Sequence, residues 1–224
     1  MAQLADRLAD AHAGLLVVDM ARALADPAVE GHDPTGPPAA EHCRSVLDAA
    51  RAAGLPVWFS RGGKRWHTSS ASPLAEVERG GWLRFNGWKE DSLDRAELAM
   101  AITPQLQPRD GEVLITKSKP SAFFGTPLAS QMIGARVELL VVVGMMTSGC
   151  VRATVTDAFS YDLEVVLPVE CLGDRDAAAH EANLGDMGRK YATLCSTGEL
   201  LAALAPRGRT QDLAPTQPAE GARP

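Results

Sequence analysis

Three side chains in this sequence, Asp19, Lys117 and Cys150, stand where α/β proteins often carry out chemistry. Asp19 and Lys117 each end an apolar run rich in β-branched residues, and Cys150 follows another such run at the start of a predicted helix. Together, an acid, an amine and a thiol at strand ends could form a chemical site, since a lysine beside a cysteine favours the thiolate. Taken singly, each residue also fits a structural role, as a loop cap, a solvated strand end or a small buried side chain.

The segment around Cys150 carries the clearest helix signal. Thr147 and Ser148 are good N-caps, Gly149 allows a tight entry, and helical spacing continues to Ser160. A thiol in the first turn of a helix meets unpaired N–H groups and the positive end of the helix dipole, and a nearby lysine lowers its pKa further. We therefore expect Cys150 to be ionised and nucleophilic. The remaining cysteines are expected to be ordinary thiols: Cys43, Cys171 and Cys195.

Positioning these side chains requires a sheet whose strand ends meet at one edge. Apolar runs typical of strands buried on both faces occur at 14–20, 55–60, 112–117, 137–144 and 163–168, with a short sixth strand near 192–195. Stretches of helical periodicity alternate with them, at 39–53, 92–102, 127–134, 149–160, 174–189 and 198–204. This alternation predicts an α/β fold with a doubly wound, mostly parallel six-stranded sheet and helices on both faces. In such sheets ligands bind beyond the carboxyl ends of the strands.

The length and composition fit one globular domain. The chain has 224 residues, of which 46% are hydrophobic, and we expect a single domain over residues 1–205. Residues 26–38 are predicted to form a loop. The basic, tryptophan-rich residues 61–89 are predicted to form a variable substrate lid, with a solvated loop as the equal alternative. Residues 206–224 have the composition of a disordered tail.

Charge and cysteine usage exclude several classes of protein. A net charge of −6 and a pI near 5.4 argue against a nucleic-acid partner. The sequence has no apolar run of the roughly 20 residues that a membrane span needs, and its N-terminus lacks the features of a secretory signal, which together predict a cytoplasmic protein with no membrane partner. The four cysteines lack C-x-x-C spacing, so neither a disulfide scaffold nor a zinc knuckle is expected.

In combination, three segments resemble the isochorismatase-like cysteine hydrolases. They are Leu-Leu-Val-Val-Asp19, Lys117-Ser-Lys-Pro-Ser-Ala-Phe-Phe-Gly-Thr126 and Gly144-x-x-Thr-x-x-Cys-Val-x-x-Thr154, in the order and with the spacing of that family. The similarity extends over most of residues 14–204 and favours Lys117 over Lys119. It is greatest to the branch of the N-carbamoylsarcosine and maleamate amidases.

The resemblance implies a role for each matched residue. Asp19 would accept the thiol proton and deliver it to the leaving nitrogen, Lys117 would stabilise the thiolate, and Cys150 would attack a carbonyl carbon to form a thioester. The backbone N–H groups of Cys150 and Met146 would form the oxyanion hole, with a cis Met145–Met146 peptide. Arg175, in Gly-Asp-Arg, would bind a substrate carboxylate with its planar guanidinium; pairing with Asp174 or another acid is its structural alternative.

The expected substrate is a small, carboxylated amide or ureido compound. Isochorismatase proper, which cleaves a vinyl ether, lacks the cysteine. An alternative reading is a cyclic amide hydrolase of the streptothricin hydrolase type, and a second is a catalytically silent interaction module. No cofactor is expected, and no metal, because His67 stands alone where metal-dependent relatives carry an Asp-x-His pair. The family also implies a homodimer or homotetramer.

Overall fold

The computed structural model describes residues 2–62 and 98–205. Within these residues one sheet of seven parallel strands has the order β3-β2-β1-β4-β5-β7, with the short β6 paired to β4. The strands are β1 Ala13–Val18, β2 Val57–Gly62, β3 Val113–Lys117, β4 Leu139–Met145, β5 Glu164–Pro168, β6 Leu172–Gly173 and β7 Thr193–Cys195. The strand order runs one way from β1 through β2 to β3 and the other way from β4 to β7, so β1 and β4 flank the point where it reverses.

Helices cover both faces of the sheet in the described parts of the chain. They are α1 Ala2–Asp10, α2 Arg22–Ala25, α3 Gly36–Ala52, α4 Leu128–Gly134, α5 Arg152–Ser160, α6 Ala177–Lys190 and α7 Thr197–Leu204. Successive side chains of a strand point to opposite faces. Accordingly Leu15 and Val17 of β1 pack with α1, α3 and α7, whereas Leu16 and Val18 pack with α4, α5 and α6. The predicted doubly wound α/β fold is confirmed.

Helices α1 and α2 have no counterpart in the sequence prediction, and three further differences lie nearer the carboxyl edge of the sheet. The sheet has a seventh strand, Leu172–Gly173. The sequence does not predict it, because two residues are too few to show a strand pattern. Helix α3 begins at Gly36, inside the predicted loop 26–38, because prolines in the first turn of a helix need no intrahelical N–H partner. Strand β2 extends through Gly62, which pairs with Lys117 and so takes the first two residues of the predicted lid.

The remaining residues of the predicted lid, 63–89, and the predicted tail, 206–224, lie outside the described residues. In the described ranges, none of the helices combines the length and apolar character needed to cross a membrane.

Candidate active site

The carboxyl edge of the sheet brings the three predicted side chains together. Val18 ends β1 and pairs with Ser60 of β2 on one side and Gly144 of β4 on the other. Asp19 follows β1 directly, and Lys117 ends β3. Their convergence with Cys150 is therefore a property of the parallel sheet, in which all of these strands end on the same side.

A left-handed backbone conformation places Asp19 in the site. Its φ of 47° is unusual for a residue with a side chain. The turn is held by a hydrogen bond from the Asp19 N–H to the Ser60 carbonyl at 3.0 Å, and the Ser60 hydroxyl donates to Asp19 Oδ1 at 2.7 Å. Both side chains are buried, so Ser60 orients this carboxylate within the protein.

Lys117 bridges the acid and the thiol. Its Nζ lies 2.6 Å from Asp19 Oδ2 and donates to Cys150 Sγ at 3.2 Å and to the Lys119 carbonyl at 3.2 Å. The side chains of Lys117 and Asp19 are 1% and 0% exposed, so this is a buried ion pair rather than a surface one. Lys119 itself is exposed, in agreement with the choice of Lys117.

The electrostatics of the site favour the protonated form of Cys150. Burial, followed by the charge of Asp19, raises the pKa of Cys150 from 9.0 to about 12, and the opposing effect of Lys117 is smaller. Burial alone would lower the pKa of Lys117, but the charge of Asp19 and the hydrogen bonds to Asp19 and Cys150 outweigh it, so that pKa is raised and the amine stays charged. The direction of this shift opposes the expected resting thiolate, because a thiol with so little access to water gains from staying neutral.

The backbone around Cys150 also differs in detail from the prediction. Residues Thr147–Val151 form one π-helical turn before α5, and Met146 takes the N-cap position without a side-chain cap. Thr147 and Ser148 do not act as the predicted caps. The Gly149 and Val151 N–H groups donate to the Met146 carbonyl at 3.0 and 3.2 Å, and Cys150 lies in this first turn.

The segment Gly173–Asp174 holds this turn from the neighbouring strand. Ser148 donates to Asp174 Oδ2 through its N–H at 2.8 Å and its hydroxyl at 2.6 Å. Thr147 Oγ1 donates to the Gly173 carbonyl at 3.1 Å and lies 2.9 Å from His180 Nδ1. The Thr147 hydroxyl carries one proton, so the His180 ring donates from Nδ1 in the arrangement where that proton goes to the Gly173 carbonyl.

Two further predicted site residues occupy different surroundings. The Met145–Met146 peptide is cis, as the resemblance implies, and Met146 precedes the turn that carries Cys150. Arg175 follows Asp174 at the surface, with its side chain 43% exposed and its Nε 3.5 Å from Oδ2 of Asp33. Arg175 thus pairs with an acid, which is the structural alternative given above. The acid is Asp33 rather than Asp174.

Sequence reasoning missed several residues that support the site: Ser60, Asp174, His180 and Asp33. Ser60 could have been found, because it is a polar residue at the end of an apolar run beside β1. The others lie in loops or on a helix, and the spacing of residues there does not predict contacts with residues far away in the chain. Within residues 2–62 and 98–205, no three His, Cys, Asp or Glu side chains are grouped so as to hold a metal ion, and His67 lies outside these ranges.

Comparisons with known proteins find a matching family, curated relatives and a similar solved structure. The family model described as the isochorismatase domain matches residues 13–199. Maleamate amidohydrolase from Pseudomonas putida is 31% identical over 85% of each chain, and N-carbamoylsarcosine amidase from an Arthrobacter species is 30% identical over 88% of this chain and 73% of that protein. The crystal structure of a cysteine hydrolase from Pseudomonas syringae pv. phaseolicola has a TM-score of 0.73 at 19% identity, over 86% of this chain and 92% of that chain, which shows a shared fold.

Proposed function

This chain belongs to the isochorismatase domain family, among hydrolases with amidohydrolase relatives, and we propose that it is a cysteine amidohydrolase acting on a small, carboxylated linear amide or ureido compound. One observation carries the proposal: Lys117 Nζ lies between Asp19 Oδ2, at 2.6 Å, and Cys150 Sγ, at 3.2 Å. Burying an acid, a cation and a thiol in contact costs stability, and such groups are typical of functional sites.

The first half of the proposed reaction forms a thioester. Cys150 Sγ bonds to the substrate carbonyl carbon as its proton passes to Asp19, so a thiol with a pKa of about 12 never has to ionise alone. Lys117 stabilises the sulfur while it carries negative charge. The carbonyl electron pair moves to oxygen, where the backbone N–H groups of Cys150 and Met146 would stabilise it. The pair then returns, the C–N bond breaks, and Asp19 delivers its proton to the leaving nitrogen.

The second half regenerates the enzyme. A water molecule attacks the thioester carbon as Asp19 accepts its proton. The C–S bond breaks, and the sulfur takes the proton back from Asp19, so the site returns to its starting protonation state. One water is consumed, and ammonia or an amine and an acid are released.

Arg175 supports the carboxylated character of the substrate. Its half-exposed guanidinium directly follows Asp174, which binds the turn of the nucleophile. A planar guanidinium can hold a carboxylate through two parallel hydrogen bonds. The two amidohydrolase relatives are named for substrates that combine a carboxylate with an amide or carbamoyl group.

The test is ammonia release from maleamate, N-carbamoylsarcosine, biuret and a set of lactams. We expect turnover of at least one carboxylated linear compound and a loss of at least about 10³-fold in Cys150→Ala. Cys195→Ala is the matched control, since Cys195 is also a buried thiol, but its Sγ donates a hydrogen bond to the Leu167 carbonyl. Full activity in Cys150→Ala would overturn the mechanism, and turnover of lactams alone would replace the linear amide with a cyclic one.

A further inference from the structure

Asp33 presents a buried carboxylate that the proposed mechanism does not use. Its Oδ1 accepts hydrogen bonds from Thr35, from the N–H at 3.0 Å and the hydroxyl at 2.8 Å. Its side chain is 0% exposed, and its buried Oδ2 accepts no hydrogen bond from the described part of the chain. A buried carboxylate oxygen without a hydrogen bond is costly and calls for an explanation.

The unsatisfied oxygen faces Arg175. Nε of that guanidinium lies 3.5 Å from Oδ2, longer than the about 2.8 Å of a charge-assisted hydrogen bond but well within reach of strong attraction. Asp33 is held by Thr35, and the Arg175 side chain is 43% exposed. A small shift of the guanidinium towards Oδ2 would complete the hydrogen bond.

The loop that carries Asp33 packs against the segment that leads to Arg175. A Cβ added to Gly173 would lie 2.8 Å from the Thr35 side-chain oxygen, so this side chain lies close to the Gly173 backbone. At Gly36 a Cβ would lie 2.1 Å from the Leu24 carbonyl oxygen, so there two stretches of backbone pack closely. These contacts place the loop of Asp33 next to the segment that carries Asp174 and Arg175.

We propose that Asp33 is a positioning residue that holds the Arg175 guanidinium by its Nε edge and thereby aims the terminal nitrogens at the substrate carboxylate. Because a guanidinium is planar and rigid, fixing Nε also fixes the directions of the other donors. The proposal rests on the proposed function, in which Arg175 binds that carboxylate. Asp33 touches neither the substrate nor the reacting atoms, and it acts through Arg175.

Asp33→Asn tests the proposal. The two Thr35 donors hold the amide oxygen at the Oδ1 position, so the amide NH₂ replaces Oδ2 and opposes the Nε–H of Arg175, donor against donor. We expect KM for maleamate to rise roughly tenfold with kcat within a factor of two, as for the loss of one charge-assisted hydrogen bond. KM for maleamide, in which a carboxamide replaces the carboxylate, should change far less.

Asp26→Asn is the matched control. Asp26 lies at the start of the same loop, is also buried, accepts from the Ala28 N–H at 3.0 Å and pairs with Arg22 Nε at 2.8 Å. A similar KM rise in this control, or equal rises for maleamate and maleamide in Asp33→Asn, would indicate a general loosening of the loop and overturn the proposal. If Asp33→Asn does not fold, Asp33→Glu, which retains the charge but displaces it, should show the same selective rise.

Arg175→Lys and the double variant separate this proposal from the proposed function. If Asp33 acts through Arg175, adding Asp33→Asn to Arg175→Lys should raise KM for maleamate by less than a further twofold. If the KM increases of the two single variants instead multiply in the double variant, the proposal is contradicted. If Arg175→Lys raises KM for maleamate but Asp33→Asn does not, the positioning role of Asp33 is overturned and the proposed function stands. Absence of any activity on carboxylated amides would overturn both proposals.

Discussion

Asp174 holds Ser148 at two points, since its Oδ2 accepts one hydrogen bond from the Ser148 N–H at 2.8 Å and another from its hydroxyl at 2.6 Å. The bonds join the residue that follows β6 to the turn that carries Cys150 two residues later. Asp174 is only 3% exposed, so water competes poorly for these bonds. The position of Cys150, the proposed nucleophile, therefore depends on a carboxylate that binds the turn two residues before it.

The first prediction concerns this contact. In the wild type, Oδ2 of Asp174 accepts from Ser148 and Oδ1 accepts from the Asp176 N–H. Asp174→Asn has only one acceptor oxygen, so one of these partners loses its hydrogen bond. We expect kcat to fall about tenfold or more, because a misplaced nucleophile loses orientation, while KM changes less. Ser148→Ala, which keeps the N–H bond, should have a smaller effect on kcat. Steady-state kinetics of both variants give the comparison, and an unchanged kcat in Asp174→Asn would show that the turn needs no such support.

The second prediction separates thiol reactivity from turnover. Asp19 raises the pKa of Cys150 and Lys117 lowers it, so Asp19→Asn should lower that pKa below the wild-type value of about 12. Iodoacetamide should then alkylate Cys150 faster at pH 8 than in the wild type, while ammonia release is lost because no group accepts the thiol proton. Alkylation rates followed by mass spectrometry of the labelled peptide measure the first effect.

Ser60→Ala is the control for the second prediction. It removes the 2.7 Å hydrogen bond to Asp19 Oδ1 but keeps the carboxylate. Its alkylation rate should stay near that of the wild type. Slower alkylation in Asp19→Asn than in the wild type would contradict the assignment of Asp19 as the group that keeps the thiol protonated.

The sequence predicts where the site lies better than how it is charged. Asp19 and Lys117 end apolar runs, and parallel strands must end on the same side, so their convergence follows from pattern alone. The protonation of Cys150 does not, because it depends on the depth of burial in the folded chain. The pairing of Asp33 with Arg175 joins two loops far apart in sequence, which periodicity cannot indicate. The roles of these residues and the expected dimer or tetramer stay predictions.

The third prediction concerns the approach of β4 to β1. Gly144 has a φ of +122°, and a Cβ there would lie 2.0 Å from the Val18 carbonyl oxygen, directly before Asp19. Gly144→Ala must therefore strain the backbone and push the two strand ends apart. We expect the free energy of unfolding to fall by about 3 kcal/mol or more. Gly149→Ala is the control, since a Cβ at that position has nothing within 4 Å.

The two glycine variants are compared by urea denaturation. Equal stabilities would show that the strand ends can separate at little cost. If Gly144→Ala does not fold, its recovery in the insoluble fraction beside soluble Gly149→Ala agrees with the prediction.

The fourth prediction is a dependence of stability on alkaline pH. The pKa of Cys150 is about 12 in the folded protein against an ordinary 9.0, so the folded state binds this proton more tightly than the unfolded state. Its stabilising contribution is complete below pH 9 and is lost as the pH rises through 12, at up to about 1.4 kcal/mol per pH unit. Burial likewise raises the pKa of Cys195, so the wild type alone cannot assign the slope.

The difference between the wild type and Cys150→Ser isolates this thiol, because Cys195 contributes to both. Urea denaturation at intervals from pH 8 to pH 11.5 should show the wild type losing stability more steeply than Cys150→Ser above about pH 9.5. Parallel curves for the two proteins would mean that Cys150 ionises as readily in the folded chain as in the unfolded one. That outcome would restore a resting thiolate and remove the need for proton transfer to Asp19 during attack.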